Sequence, residues 1–166
     1  MIISPEHIPN LLITNVDKEL YQPNSIDLIL DEVSVLKTNF FNIIHANKKL
    51  NYVNEDDFEK LQLKNNYWYL EPNTSYMLTS KHYIEVPINF CACVIHKSTL
   101  LRRGCFITSS LYDSGFKGLI GAFGLVTKPI HIEKEAKFAQ MIFFACKGDK
   151  VYNGYYNHHF PQKDKA

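Results

Sequence analysis

A chain of 166 residues with 46% apolar content holds one compact domain with a real core and is too short for two ordinary ones. A formal net charge of +1 excludes the global field of a nucleic-acid binder, and no apolar run reaches the roughly 18 to 20 residues of a membrane span. With no basic-then-apolar leader at the N-terminus, a cytoplasmic protein is expected, with neither DNA, RNA nor a membrane as partner.

Ser4-Pro5-Glu6 predicts a helix start, with serine as cap and proline at the first helical position, running to about Ile13. After the turn Gln22-Pro23-Asn24, the segments Ser25 to Leu30, Val33 to Leu36 and Phe40 to Ile44 read as short strands. Residues 46–66 are polar and read as a loop, with a helical turn at Asp56 to Leu61. From Tyr67 onward the pattern is repeatedly short and β-favouring: Tyr67 to Leu70, Ser75 to Val86, Phe90 to Ile95, Cys105 to Thr108, Lys117 to Val126 and Lys137 to Ala145. Strands at this spacing predict a mostly β sandwich or barrel. The domain is expected to span residues 1–146. Residues 147–166 lose apolar periodicity and read as a mobile C-terminal tail, with the aromatic run Tyr152-Asn153-Gly154-Tyr155-Tyr156 marking it as more than an idle one.

Two local patterns point to chemistry. Between Val86 and Ile132 the only acid is Asp113, whereas Lys97, Arg102, Arg103, Lys117 and Lys128 lie in the same stretch, a balance that suits either a polyanion or a solvated basic face. All seven glycines fall at or after Gly104, and five of them lie within 21 positions, where backbone must turn tightly or approach a ligand. The four cysteines form no CxxC pair and have no histidine at ligand spacing, so they read as reduced core residues rather than a zinc site or disulfide framework.

Three segments carry the reading further. Gln22-Pro23-Asn24-Ser25-Ile26-Asp27-Leu28, Lys97-Ser98-Thr99-Leu100-Leu101-Arg102-Arg103-Gly104 and Tyr112-Asp113-Ser114-Gly115-Phe116-Lys117-Gly118 occur in this order. Ser98 and Thr99 offer hydroxyls beside backbone amides at a one-turn helix start, and Arg102 follows one turn later with a planar fork able to hold two phosphate oxygens. Asp113 should project from a glycine-containing β-hairpin as a candidate general base, the alternative being a turn aspartate that caps its own backbone.

Together these segments resemble the superfamily of trimeric dUTPases and dCTP deaminases. Phe138-Ala139-Gln140-Met141-Ile142-Phe143 is similar to its closing strand, and Tyr152-Asn153-Gly154-Tyr155 to its deaminase-type tail. The resemblance implies a distorted β-barrel of jelly-roll type with short helices, assembled as a homotrimer with sites between subunits. It implies that Asp113 holds the attacking water, and that Lys97, Ser98, Thr99, Arg102 and Gln140 hold a triphosphate. It places Ser109, Tyr112, Phe116, Leu119 and Gly121 around the nucleoside, with Tyr152 and Tyr155 in a tail that closes over it. Asp27 would orient a magnesium-bound triphosphate through water, or alternatively fix the turn after Asn24. Gln140 equally suits a core or interface hydrogen bond.

The two halves of the superfamily separate at one position. Deaminases carry a glutamate ten residues beyond the motif aspartate; here that position is Phe123, which cannot move a proton, and the next carboxylate is Glu133. Hydrolysis of dUTP to dUMP and pyrophosphate with Mg2+ is therefore the favoured expectation. Lys97 stands where arginine is typical, and the glycine-rich tail of most dUTPases is absent. A dCTP deaminase, alone or bifunctional, and a non-catalytic nucleotide binder remain the alternatives.

Overall fold

A computed structural model describes residues 1–37, 53, 55–148, 150–154 and 156–157. Its strands, in chain order, are β1 (Ile2–Ile3), β2 (Leu12–Ile13), β3 (Tyr21–Gln22), β4 (Ser25–Leu36), β5 (Phe58–Lys60), β6 (Tyr67–Leu70), β7 (Thr74–Glu85), β8 (Phe90–His96), β9 (Cys105–Thr108), β10 (Lys117–Val126), β11 (Ile130–Glu133) and β12 (Lys137–Ala145). A single helical turn, α1 (Ser98–Leu101), joins β8 to β9.

In the longest strands burial alternates from residue to residue over much of the length. Along β7 every second side chain from Tyr76 to Ile84 is buried, and along β10 every second one from Gly118 to Val126. Neighbours run β12, β8, β9, β10, β7, β4, and β4 pairs again with β12, from Lys137 opposite Ile29 to Met141 opposite Ile26. Six antiparallel strands thus close into a barrel, which removes the open edges that a flat sheet would leave. Phe138, Phe143, Leu28, Leu30, Leu78 and Ile107 are among its fully buried side chains. A second sheet of two strands pairs β6 with β11.

Several expectations are corrected. The helix from Ser4 to Ile13 is only a 3-10 turn over Pro5–His7, with no side-chain cap from Ser4. Pro9 explains the stop: the residue before a proline is pushed out of the helical region, and Ile8 is extended at φ −94 and ψ 110. The two strands expected at 25–30 and 33–36 are one, β4, with a register shift against β7 between Leu30 and Glu32. The expected helical turn at 56–61 is a 3-10 turn over Glu55–Asp57 followed by β5, which pairs with the end of β4. The strand expected at Phe40 to Ile44 lies outside the described residues. β11 was hidden by its brevity and by the charges around it. No helix among the described residues is long and apolar enough to cross a membrane.

The absence of glycine before Gly104 has a structural counterpart. Asn10, Asn15, Asn65, Asn66, Asn73 and Asn89 take the left-handed turn positions that glycine usually fills. Asparagine tolerates that region because its short side chain hydrogen-bonds locally.

One buried polar group ties three elements together. His82, on β7, has no exposed surface; its Nδ1 lies 3.0 Å from the Thr14 carbonyl and its Nε2 accepts the Ile29 N–H at 3.1 Å. A nitrogen that accepts an N–H carries no proton, so the ring is neutral with its proton on Nδ1. Burial lowers its pKa below the ordinary 6.5, and the nearby Lys81 charge acts in the same direction, against opposing backbone hydrogen bonds. The unfolded chain therefore binds this proton more readily. The stabilisation is complete above pH 6.5 and falls as the pH drops below it towards the folded value. Urea unfolding should give a lower midpoint at pH 5 than at pH 7.5. His82→Gln should lose much of that difference; an unchanged pH profile would exclude His82 as its source.

Candidate active site

The candidate residues fall into two groups that a single chain keeps apart. The first lines a cavity of about 650 Å³ beside the β10 hairpin. Ser109, Tyr112, Phe116, Leu119 and Gly121, all expected around a nucleoside, line it together with Tyr152 of the tail. Among the described residues its wall has no carboxylate, lysine, arginine or histidine. It is an apolar chamber with a few hydroxyls and backbone groups, the usual make-up of a small-molecule site.

The hairpin owes its shape to local sequence. Gly115 sits at φ +81, which side-chain-bearing residues rarely adopt, and the Phe116 N–H closes the turn onto the Asp113 carbonyl at 3.0 Å. Tyr112 and Phe116 turn inward and meet edge to face at 5.0 Å between ring centres. The Tyr112 hydroxyl accepts the Gly121 N–H at 2.9 Å and donates to the Gly121 carbonyl. Burial raises its pKa far above the ordinary tyrosine value, against a smaller opposing effect of that backbone bond, so the phenol stays protonated.

Asp113, next along the chain, points the other way. It is exposed, lies outside the cavity wall, and among the described residues no hydrogen bond or ion pair reaches its carboxylate. Tyr112 and Asp113 thus present a buried phenol and a free carboxylate on opposite sides of the hairpin.

The described part of the tail is docked rather than loose. The Tyr152 N–H reaches the Ser114 carbonyl at 2.8 Å, and the Asn157 side chain accepts the Lys117 N–H at 2.8 Å. The Tyr152 ring packs on Phe116 at 5.7 Å. A Cβ on Gly115 would lie 2.2 Å from Val151, so this glycine also makes room for the tail. Tyr156 completes the wall of the cavity, a role hinted at only by the tail's aromatic content. Tyr155 lies outside the described residues.

The second group gathers around Asp27, which is 2% exposed. Its Oδ1 accepts Lys97 Nζ at 2.6 Å and Gln140 Nε2 at 3.0 Å; Oδ2 accepts Gln22 Nε2 at 3.4 Å, with Lys137 Nζ at 3.9 Å. The barrel closure puts Gln140 directly opposite Asp27 across β12 and β4. This arrangement does not fit a metal-orienting role for Asp27 within one chain. Two amides and two ammonium groups already surround a carboxylate with about four lone-pair sites. No cluster of three or more His, Cys, Asp or Glu side chains suited to a metal occurs among the described residues.

The same contacts sort the basic stretch. Lys97 is neutralised by Asp27, and Lys117 by Glu85 at 2.7 Å, directly opposite it on β7. Ser98, Thr99 and Arg102 are exposed on and just after α1, and Arg102 has no acidic partner among the described residues. Of the two cations expected to hold a triphosphate, Lys97 and Arg102, only Arg102 lacks an acidic partner among the described residues. Phe123 is 45% exposed on β10 and lines the cavity, while Glu133 lies in the second sheet, 3.3 Å from the Asn66 amide and away from the cavity.

A family model described as dCTP deaminase-like matches residues 4–146. The chain belongs to that family. Among its relatives is a probable deoxyuridine 5'-triphosphate nucleotidohydrolase of Methanopyrus kandleri, 27% identical over 157 residues, covering 93% of this chain and 99% of the relative. The fold is shared with the 2'-deoxycytidine 5'-triphosphate deaminase of Agrobacterium tumefaciens at a TM-score of 0.58 and 18% identity, over 80% of this chain and 42% of the deaminase. It is also shared with a mutant dUTPase of Staphylococcus bacteriophage 80alpha in complex with dUpNHpp, at a TM-score of 0.52 and 11% identity, over 89% of this chain and 97% of the phage protein. The matched residues extend over the barrel to Cys146.

Proposed function

We propose that this protein hydrolyses a pyrimidine deoxynucleoside triphosphate, dUTP in the first instance, to the monophosphate and pyrophosphate, with Asp113 positioning and deprotonating the attacking water. The observation that carries the choice is the chemistry of the cavity wall. Attack on a cytosine ring needs a group that moves protons at the base, and here Phe123 stands where a deaminase has its glutamate while Glu133 lies elsewhere. Phosphate-ester hydrolysis needs only a positioned water, a carboxylate beside it and cations on the departing pyrophosphate. Asp113 and Arg102 have the exposure and freedom to supply these. The relative in Methanopyrus kandleri, similar over nearly its whole length, supports the same substrate.

The separation of the two residue groups supports a site between subunits of a homotrimer, in which the exposed carboxylate and arginine of different copies converge on the nucleotide held in the cavity. A face exists for such an assembly. Phe106 on β9 and its cross-strand partner Leu125 on β10 are both exposed, with Phe123 two residues further along the same face. Exposed aromatic and aliphatic groups in one patch are the usual mark of a covered surface. Magnesium is the expected companion of a triphosphate, but no residue of this chain is assigned to hold it.

Incubation with dUTP and with dCTP in the presence of Mg2+, followed by separate assays of pyrophosphate and ammonia, tests the reading. Pyrophosphate from dUTP is the expected product. Ammonia from dCTP would favour a deaminase, and neither product alongside tight nucleotide binding would favour a binding protein.

A further inference from the structure

The backbone of β10 has β7 on one side along its whole length, but β9 on the other side only from Phe123 onward. Before that point the second edge has no strand partner among the described residues. The register slips between Leu119 and Gly121, and Gly121 lines the cavity. On an extended strand the N–H and C=O of one residue point to the same side, so Gly121 presents a donor and an acceptor together on this open edge. Both are occupied by one atom, the hydroxyl of Tyr112.

A phenol that accepts from the N–H and donates to the carbonyl imitates what a pyrimidine offers where a ring N–H adjoins a carbonyl. We propose that the Tyr112 hydroxyl holds the hydrogen-bonding edge that a uracil-type base takes when it binds, and that Tyr112 thereby sets the cost of admitting the base to the cavity. This rests on reading the cavity as a nucleoside pocket and adds a cost to it. The incoming base must replace two protein bonds rather than two bonds to water, and a uracil whose ring nitrogen is methylated cannot replace both. Among the described residues no hydrogen bond other than those of Tyr112 reaches this edge of Gly121.

Calorimetric titration of full-length protein with α,β-imido-dUTP and with its N3-methyl counterpart tests this on wild type and Tyr112→Phe. The variant should bind α,β-imido-dUTP about tenfold more tightly, equivalent to about 1.4 kcal/mol. It should show no gain for the N3-methyl compound, which cannot donate to the Gly121 carbonyl. Equal or weaker binding of α,β-imido-dUTP by the variant overturns the proposal, as does a gain shared by both compounds, which would reflect space alone. Binding of neither compound by either protein overturns the nucleoside pocket together with the proposal. Should the variant melt at too low a temperature, wild-type protein labelled at glycine nitrogen gives the same answer. The Gly121 amide resonance should move on saturation with α,β-imido-dUTP and stay put with the N3-methyl compound, and a resonance unmoved by bound α,β-imido-dUTP overturns the assignment.

Discussion

Asp113→Asn should lower kcat on dUTP by about 10²- to 10⁴-fold, the usual contribution of a positioned general base, while leaving nucleotide affinity within about twofold. The substitution keeps size and shape and removes only the ability to take a proton. Because the side chain is exposed and has no hydrogen-bond partner among the described residues, its replacement should change stability by no more than about 0.5 kcal/mol. Steady-state pyrophosphate release, combined with binding of α,β-imido-dUTP, separates the two quantities. Unchanged turnover would leave Asp113 as an ordinary turn residue and remove the mechanism.

Arg102→Ala should weaken binding of α,β-imido-dUTP by about 10- to 100-fold, the range expected when charge-assisted hydrogen bonds worth about 1.5–3 kcal/mol are lost. Affinity for dUMP should change little, because the lost partner is the pyrophosphate portion. The mass of the assembly, measured by light scattering, should not change; a fall in mass would assign Arg102 to assembly instead. Lys97 would make a poorer probe. Its ammonium is the closest partner of the nearly inaccessible Asp27 carboxylate, so its removal would leave a buried charge undercompensated and would perturb the barrel as well as the site.

The contrast between these two cations shows how far local pattern reaches. Both sit in one eight-residue motif of serine, threonine, leucine and basic side chains, and nothing in that motif distinguishes them. They differ because β12 closes the barrel against β4. That closure brings Gln140 to within 3.0 Å of Asp27, 113 positions away, with Lys97 on the same oxygen. Gln140 accordingly makes a hydrogen bond to Asp27 across the two strands. The gathering of Ser109, Tyr112, Phe116, Leu119 and Gly121 around one cavity was more legible. Its members cluster between Ser109 and Gly121, and a hairpin brings such neighbours together whatever the rest of the fold does.

The tail gives the opposite lesson. Its aromatic run and its likeness to a deaminase-type tail set it apart in the sequence, but its docking needs the space left by Gly115, the Ser114 carbonyl and the Phe116 ring, which only the folded hairpin assembles.

By itself the sequence determined the class of fold, the positions of the main barrel strands, the glycine hairpin and the isolation of one carboxylate among cations. Each of these follows from residue type and spacing over a few positions: alternation for strands, freedom at positive φ for turns, charge for the site. The tertiary structure decided which cations are paired with acids, that Lys97, Gln140 and Gln22 gather on Asp27, and that the Tyr112 hydroxyl covers the Gly121 edge. These outcomes depend on where barrel closure and the β10 bulge set groups in space, and contacts formed by strand pairing across the chain leave no trace in local periodicity.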